Sequence, residues 1–176
     1  SSASEIVYNL GADPRTIDPA LNNALDGATV IVNIFDGLLR YSSNDSPEPA
    51  CAESWEISDD GMTWTFHLRE NIKWSDGQPI TAQQFKDGFL RALDPETGSP
   101  YAYYAFFIKN GEAFYNSKAS REDVGLSAPD EKTFVVQLEY QNPLMLDYLA
   151  FPLFQPARMD IINENPRSWA ARPETL

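Results

Sequence analysis

The sequence contains very few of the residues on which common catalytic and metal sites depend. It has one cysteine, Cys51, and one histidine, His67. No intrachain disulfide can form, and a transition-metal site, which prefers several His or Cys ligands, has too few of them. We expect Cys51, which stands between two alanines, to be a small buried packing residue. His67 falls on the polar side of a predicted strand, which favours a surface position over a catalytic one.

Basic residues and long apolar runs are also scarce. Lysine and arginine number 13 against 26 acidic residues, which gives a formal net charge of −13. Such a charge repels phosphate backbones and anionic headgroups, so we expect neither nucleic acid nor a membrane surface as a partner. No apolar run approaches the roughly 20 residues of a membrane-spanning helix. The small polar residues at 1–4 leave open an export signal that has been removed upstream.

Motifs of the common enzyme classes are missing. Asp59 and Asp60 are adjacent in a predicted hairpin turn, where neighbouring side chains point apart, so they are turn formers and not a pair of catalytic carboxylates. The glycines stand singly and form no phosphate-binding loop, and no serine or cysteine lies in a nucleophile elbow. A hydrolase would need a catalytic set that we do not find. We therefore expect no catalytic residue, no cofactor and no metal.

The hydrophobic patterns predict an α+β chain with at least three strands and about five helices. Strands are predicted at residues 5–10, at 133–139 and in a hairpin around 59–61 whose second strand covers 62–69. Helices are predicted at 26–35 with Asp26 as N-cap, at 82–93 with Thr81 as cap, in pieces within 100–115, at 143–149 and at 156–169. The predicted core includes Trp64, Phe66, Leu68, Phe85, Phe89, Val135 and Leu138.

Aromatic residues are abundant, with four Trp, eight Tyr and ten Phe. Most are predicted to lie in the core, and Trp55, Trp64 and Trp74, which flank the hairpin, are predicted to be structural anchors. The others are candidates for lining a cleft. Tyrosine suits that position because its ring supplies contact area while its hydroxyl bonds to water or a ligand.

Five spaced segments form a distinctive pattern: a Trp-anchored strand, a Gly turn, an alternating strand ending in Arg, a second Trp and a Thr-capped helix. They are Ala52-Glu53-Ser54-Trp55, Asp60-Gly61, Trp64-Thr65-Phe66-His67-Leu68-Arg69, Lys73-Trp74-Ser75-Asp76-Gly77 and Thr81-Ala82-Gln83-Gln84-Phe85. The pattern resembles the signature of the family 5 extracellular solute-binding proteins, and Ile17-Asp18-Pro19 and residues 35–39 are also similar to that family. Residues 94–102 are similar to its oligopeptide-binding subgroup in particular.

The resemblance implies a two-lobed, periplasmic-binding-protein-like (class II) fold, of which this chain is an N-terminal fragment. Residues 1–37 are expected to open the first lobe, 38–157 to form an inserted α+β subdomain, and 158–176 to begin the return to an incomplete first lobe. The rest of the receptor, including the acidic residue that holds the peptide α-ammonium group, is expected to lie beyond this chain.

The resemblance also implies a function and a ligand site. The protein is expected to capture oligopeptides for an ABC permease, in the periplasm or on the outer face of the cytoplasmic membrane, where a lipid anchor is an option. Asn23, Ala24 and Leu25 match a loop that borders the peptide, and Tyr101 matches a pocket tyrosine. Two alternatives stay open: a family member that binds a dipeptide, nickel or a sugar, and a surface adhesion or scaffold module with no transported ligand.

The expected early end of the chain predicts self-association. If the opening segment packs on parts of the first lobe that follow Leu176, then its apolar residues are left exposed. These are Ile6, Tyr8, Val30, Ile31 and Ile34. We expect either a dimer or larger assembly, or a disordered N-terminal segment.

Overall fold

The computed structural model describes Val7 and residues 9–171. The helices are α1 (Leu25–Ile34), α2 (Ala82–Leu93), α3 (Gly111–Tyr115), α4 (Met145–Leu149) and α5 (Met159–Glu164), with 3-10 turns at Ala102–Ala105, Arg121–Asp123 and Trp169–Ala171. The strands are β1 (Leu39–Tyr41), β2 (Pro47–Pro49), β3 (Ala52–Ile57), β4 (Thr63–Leu68), β5 (Leu126–Ser127) and β6 (Thr133–Gln137). The predicted α+β class is confirmed. Half of the strand predicted at 5–10 lies outside the described residues, and Val7, Asn9 and Leu10 belong to no strand.

The central sheet is antiparallel, with the strand order β3-β4-β6-β5. The predicted hairpin joins β3 to β4, and its turn is held by Asp60, whose Oδ1 accepts hydrogen bonds from the Ser58 hydroxyl and the Met62 amide at 2.6 and 2.9 Å. Gly61 has φ +70°, a backbone conformation that favours glycine. The alternation predicted for β4 is confirmed, because its buried residues are Trp64, Phe66 and Leu68.

Helix α2 covers the buried face of this sheet. It begins after Thr81, where the Gln84 side chain reaches back to accept a hydrogen bond from the Thr81 amide at 3.1 Å. It ends at Leu93, and its C-cap Asp94 precedes a proline. Phe89 packs edge-on against Phe134 of β6 at 5.1 Å between ring centroids. The predicted core is therefore correct for α2 and β4.

Two details of the predicted core and its anchors can now be assigned. Val135 was expected in the core but is half-buried, because Phe134 and Val136 take the inward positions of β6 and alternation turns Val135 to the other face. The three tryptophans near the hairpin all belong to or pack against the main core, as predicted; they are Trp55, Trp64 and Trp74.

The helix ends differ from prediction at two places. The N-cap of α1 is Ala24 and not Asp26, which lies in the first turn and accepts a hydrogen bond from the Gly27 amide at 2.8 Å. The single helix predicted at 156–169 is two pieces, α5 and the turn Trp169–Ala171. Pro166 disfavours helical geometry in the preceding residue, and Asn165 has φ −146° and ψ 70°.

The part of the chain that the structure describes has two hydrophobic clusters. The main cluster spans Leu38 to Phe154, and a smaller one contains Ile162 and Trp169 with Ile17 and Phe35 packed against it. Phe35 meets the Trp169 ring edge-on at 6.3 Å. The expectation that the opening segment finds its partners only after Leu176 is therefore wrong for these residues. Ile31, expected to be exposed, is completely buried.

Candidate ligand-binding site

An open depression lies where the loop before α1 meets the aromatic segment after α2. We call it the Tyr101 cleft. It is lined by Pro19, Asn22, Asn23, Ala24, Leu25, Ala28, Tyr101, Phe151, Pro152 and Leu153, and its volume is about 240 Å³. All four residues predicted to line a ligand site, although distant in sequence, therefore contribute to one cleft.

The loop on one side of the cleft owes its shape to Asn22. This buried side chain donates a hydrogen bond from Nδ2 to the Ala24 carbonyl at 3.0 Å, and its Oδ1 lies 3.4 Å from the Ala24 amide, which donates to it. A Cβ at position 27 would collide with the Asn22 side chain, so Gly27 makes room for it. Ala24 is extended, with φ −131° and ψ 149°, and Asn23 and Leu25 beside it are exposed.

The other side of the cleft is a cluster of aromatic rings. Tyr101 is half-buried and meets Phe151 and Tyr104 edge-on, each at 5.8 Å between centroids. Tyr104 in turn stacks on Phe151 at 5.1 Å. The buried Ser99 fixes the backbone, because its Oγ accepts a hydrogen bond from the Tyr101 amide at 3.4 Å. The position of Tyr101 is thus set by packing before any ligand arrives.

The ring cluster continues outward to Tyr103, which stacks on Tyr104 at 4.7 Å. Desolvation, and a hydrogen bond with Tyr104, raise the pKa of the Tyr103 hydroxyl above its ordinary value. The Tyr103 ring is 56% exposed and does not line the Tyr101 cleft. The Tyr103 hydroxyl therefore stays neutral near neutral pH.

A buried ion pair supports the loop from behind. The Asp18 carboxylate accepts hydrogen bonds from Arg91 Nη1 and Nη2, both at 2.6 Å, from the Ala20 amide at 3.0 Å and from Trp169 Nε1 at 2.9 Å. These contacts join the opening loop to α2 and to the last described turn. Sequence reasoning missed this group, because the only signal was Ile17-Asp18-Pro19 as part of the family resemblance.

The other residues considered for chemistry lie elsewhere. His67 is partly exposed, with Nε2 3.6 Å from Glu56 Oε1. Cys51 is buried, as predicted, and desolvation raises the pKa of its thiol to about 12. Within Val7 and residues 9–171, no three His, Cys, Asp or Glu residues are grouped so that they could hold a metal ion. In that same part of the chain, no helix has the length and hydrophobicity needed to cross a bilayer.

Comparison with known proteins identifies the family. The model for bacterial extracellular solute-binding proteins, family 5 (middle), matches residues 46–174. The chain belongs to this family, and the resemblance inferred from its motifs is confirmed.

Individual relatives agree in fold and differ in the ligands they are named for. The chain is 35% identical to the dipeptide-binding protein DppE of Bacillus subtilis, covering 100% of this chain and 32% of DppE. It is 38% identical to the "Probable deoxycholate-binding periplasmic protein YgiS" of Escherichia coli, covering 96% of this chain and 32% of that one. Among solved structures, Haemophilus influenzae OppA in complex with the peptide RPPGFSPFR superposes with a TM-score of 0.89 at 31% identity, covering 95% of this chain and 33% of OppA.

The chain therefore spans about a third of the length of the relatives it matches. The structural relatives are two-lobed periplasmic binding proteins, and this chain corresponds to part of one lobe.

Proposed function

We propose that the protein to which this chain belongs is the substrate-binding component of a peptide ABC transporter, which captures oligopeptides outside the cytoplasmic membrane and delivers them to the permease. One observation carries the proposal. The loop at 23–25 and Tyr101 meet in a single cleft, on a fold that superposes on an OppA with a peptide bound.

The local geometry suits an extended peptide. Ala24 is extended, but its amide and carbonyl are already bonded to the Asn22 side chain. An extended peptide lying beside residues 23–25 therefore pairs with main-chain groups of the exposed flanking residues Asn23 and Leu25, and these hydrogen bonds do not depend on the peptide sequence. In this arrangement the cluster of aromatic rings around Tyr101 contacts one side chain of the bound peptide. In the proposed mechanism a second lobe closes over the peptide by hinge motion, and water fills the space that varied side chains leave.

The proposal includes the arrangement of segments and the location. Residues 1–37 open the first lobe, 38–157 form the inserted subdomain and 158–176 begin the return. The small cluster around Trp169 supports this division, because it joins residues of the first and last segments. The protein works in the periplasm or on the outer face of the membrane, with or without a lipid anchor. It is not an enzyme, since its family is one of solute-binding proteins.

A second candidate is a family member with a different solute. The similarity to YgiS favours a non-peptide ligand such as deoxycholate, and the similarity to DppE favours a dipeptide. A surface adhesion or scaffold module with no transported ligand is the remaining alternative.

Ligand binding by the full product of the gene tests the proposal. The protein is purified without denaturation, its bound small molecules are identified by native mass spectrometry, and the emptied protein is titrated with mixed tri- to pentapeptides, dipeptides and deoxycholate. We expect co-purified peptides and Kd values of about micromolar, roughly −8 kcal/mol.

A matched pair of variants locates the site. Tyr101→Ala removes a wall of the cleft and is expected to weaken peptide binding by roughly tenfold or more. Tyr140→Ala removes an equally large ring that is 56% exposed and outside the cleft, so its affinity should match the wild type. Equal affinities for both variants, or binding of deoxycholate but of no peptide, contradict the proposal.

A further inference from the structure

The lining of the Tyr101 cleft has a simple chemical character. None of its ten lining residues is Asp, Glu, Lys, Arg or His, although 26 acidic and 13 basic residues are spread over the chain. Its walls are mainly carbon: Leu25, Ala28, Phe151, Pro152 and Leu153 line it together with the Tyr101 ring. A charged group that enters such a cleft gives up water and meets no counter-charge in the lining.

Two lining residues are followed or preceded in sequence by a carboxylate, that of Asp18 or that of Asp26. The Asp18 carboxylate, next to Pro19 in sequence, is 3% exposed and accepts hydrogen bonds from both terminal nitrogens of Arg91. The Asp26 carboxylate, next to Leu25, accepts a hydrogen bond from the Gly27 amide and is not part of the lining. Neither carboxylate lines the cleft.

The size of the cleft decides how much of a ligand it takes. Pockets that enclose a whole small ligand have volumes of roughly 300–1,000 Å³. At about 240 Å³ and open to one side, the Tyr101 cleft is suited to one group of the ligand, of the size of a large side chain.

We propose that the Tyr101 cleft is a selective subsite for one uncharged, apolar side chain of the bound peptide, with Leu25, Phe151 and Tyr101 as the residues that determine this selectivity. The inference rests on the function proposed above and narrows its substrate class. Rejection of charged side chains follows from the lack of a counter-charge, and preference for larger apolar ones follows from the apolar area that they bury.

The test uses the full product of the gene and three series of trialanine-based peptides, in which each position in turn is Leu, Lys or Asp. At one position, the peptide with Leu is expected to bind at least roughly tenfold more tightly than the peptide with Lys or Asp, because a single methylene in an apolar pocket already discriminates by that much and a charged side chain also lacks a counter-charge there. Equal affinities for the three residues at every position overturn the selectivity. Failure of every peptide to bind, trialanine included, overturns the proposed function instead.

Two variants of Leu25 assign the selectivity to this cleft. Leu25 is 84% exposed at the first position of α1, so a polar residue there does not disturb packing. Leu25→Asp is expected to lower the Leu preference at that position and to favour Lys, and Leu25→Lys to favour Asp. Val32→Asp places the same charge on the same helix, at a residue 54% exposed and outside the cleft, and is expected to leave the preference unchanged.

The variants also define a negative result. If Leu25→Asp and Leu25→Lys both keep the wild-type order of affinities, or if Val32→Asp changes it as much as Leu25→Asp does, the selectivity arises elsewhere in the protein and the proposal is wrong.

Discussion

Arg91 and Asp18, which are 73 positions apart, form a two-pronged ion pair in which each guanidinium nitrogen lies 2.6 Å from its own carboxylate oxygen. Both side chains are almost fully buried, with 10% and 3% of their surface exposed. Such a pair adds little net stability as a whole, but either partner alone is an uncompensated buried charge. The pair therefore fixes the loop of the Tyr101 cleft to α2 in one arrangement.

Asp18→Asn is expected to lower the free energy of unfolding by about 3–5 kcal/mol, because it leaves the Arg91 charge buried without a counter-charge. Urea unfolding followed by circular dichroism measures the loss. The control is Glu48→Gln, which breaks the exposed pair of Arg40 and Glu48, and it should cost no more than about 1 kcal/mol. Similar losses for the two variants would show that the buried pair has no special role.

Variants of Trp64 separate two contributions to the free energy of unfolding: the volume of a core ring and its buried polar N–H group. The residue is 9% exposed, and its Nε1 has no hydrogen-bond partner among the described residues. Trp64→Ala is expected to cost about 3–5 kcal/mol, because it leaves a large cavity. Trp64→Phe keeps most of the ring and removes a buried unsatisfied donor, so it should cost less than about half as much. Equal losses in urea unfolding would contradict this explanation.

The reactivity of the Cys51 thiol reports on unfolding of the structure around it. Because burial raises the pKa of its thiol to about 12, the folded chain keeps the proton while the unfolded chain, with an ordinary thiol pKa of roughly 8.5, releases it. The unfolded state binds fewer protons above that value, so the stability from this group is lost as the pH rises from about 9 to about 12.

At pH 8, a thiolate-specific disulfide reagent is expected to react with native Cys51 at least about 100-fold more slowly than in denaturing urea, where it should label one thiol per chain. Cys51→Ser gives the background. Labelling at the same rate with and without urea would show that the thiol is accessible in the native state.

Self-association of the chain stays a prediction, but its surface is now more precise. Leu25 and Val32 are seven positions apart in α1 and share one face, with 84% and 54% of their surfaces exposed. We expect sedimentation velocity of the 176-residue chain to show a dimer or larger assembly. Val32→Asp should shift it towards monomer. A strict monomer at all concentrations would contradict this prediction.

Helices and strands could be predicted from the sequence where a single local pattern was strong and no other pattern competed with it. In β4 the alternation of large apolar residues with Thr and His fixed both the strand and its buried face, and Thr81 with Gln84 marked the start of α2. The prediction of Asp26 as the N-cap of α1 was wrong because an acidic residue near the start of a helix is favourable both at the cap and in the first turn. Pro166 was a visible signal for the break after α5, and it was overlooked.

The ion pair of Asp18 and Arg91 could not be predicted in the same way. The patterns of a single sequence describe neighbours along a helix or strand, and they do not say which of 13 basic residues meets which of 26 acidic ones. The convergence of Tyr101 with residues 23–25 has the same long-range character, and only the family resemblance pointed to both.

The hydrogen bond from Trp169 to Asp18 joins residues 151 positions apart. A contact so distant in sequence forms only after a long loop has closed, which costs more conformational entropy than closing a short loop. The hairpin of β3 and β4 closes only a short loop. During synthesis the hairpin and α2 emerge before Trp169, so we expect the sheet to form before the loop of the Tyr101 cleft has its full support. We therefore expect a nascent chain that stops before Trp169 to form its sheet while Asp18, behind the loop of the cleft, still lacks one of its hydrogen-bond donors.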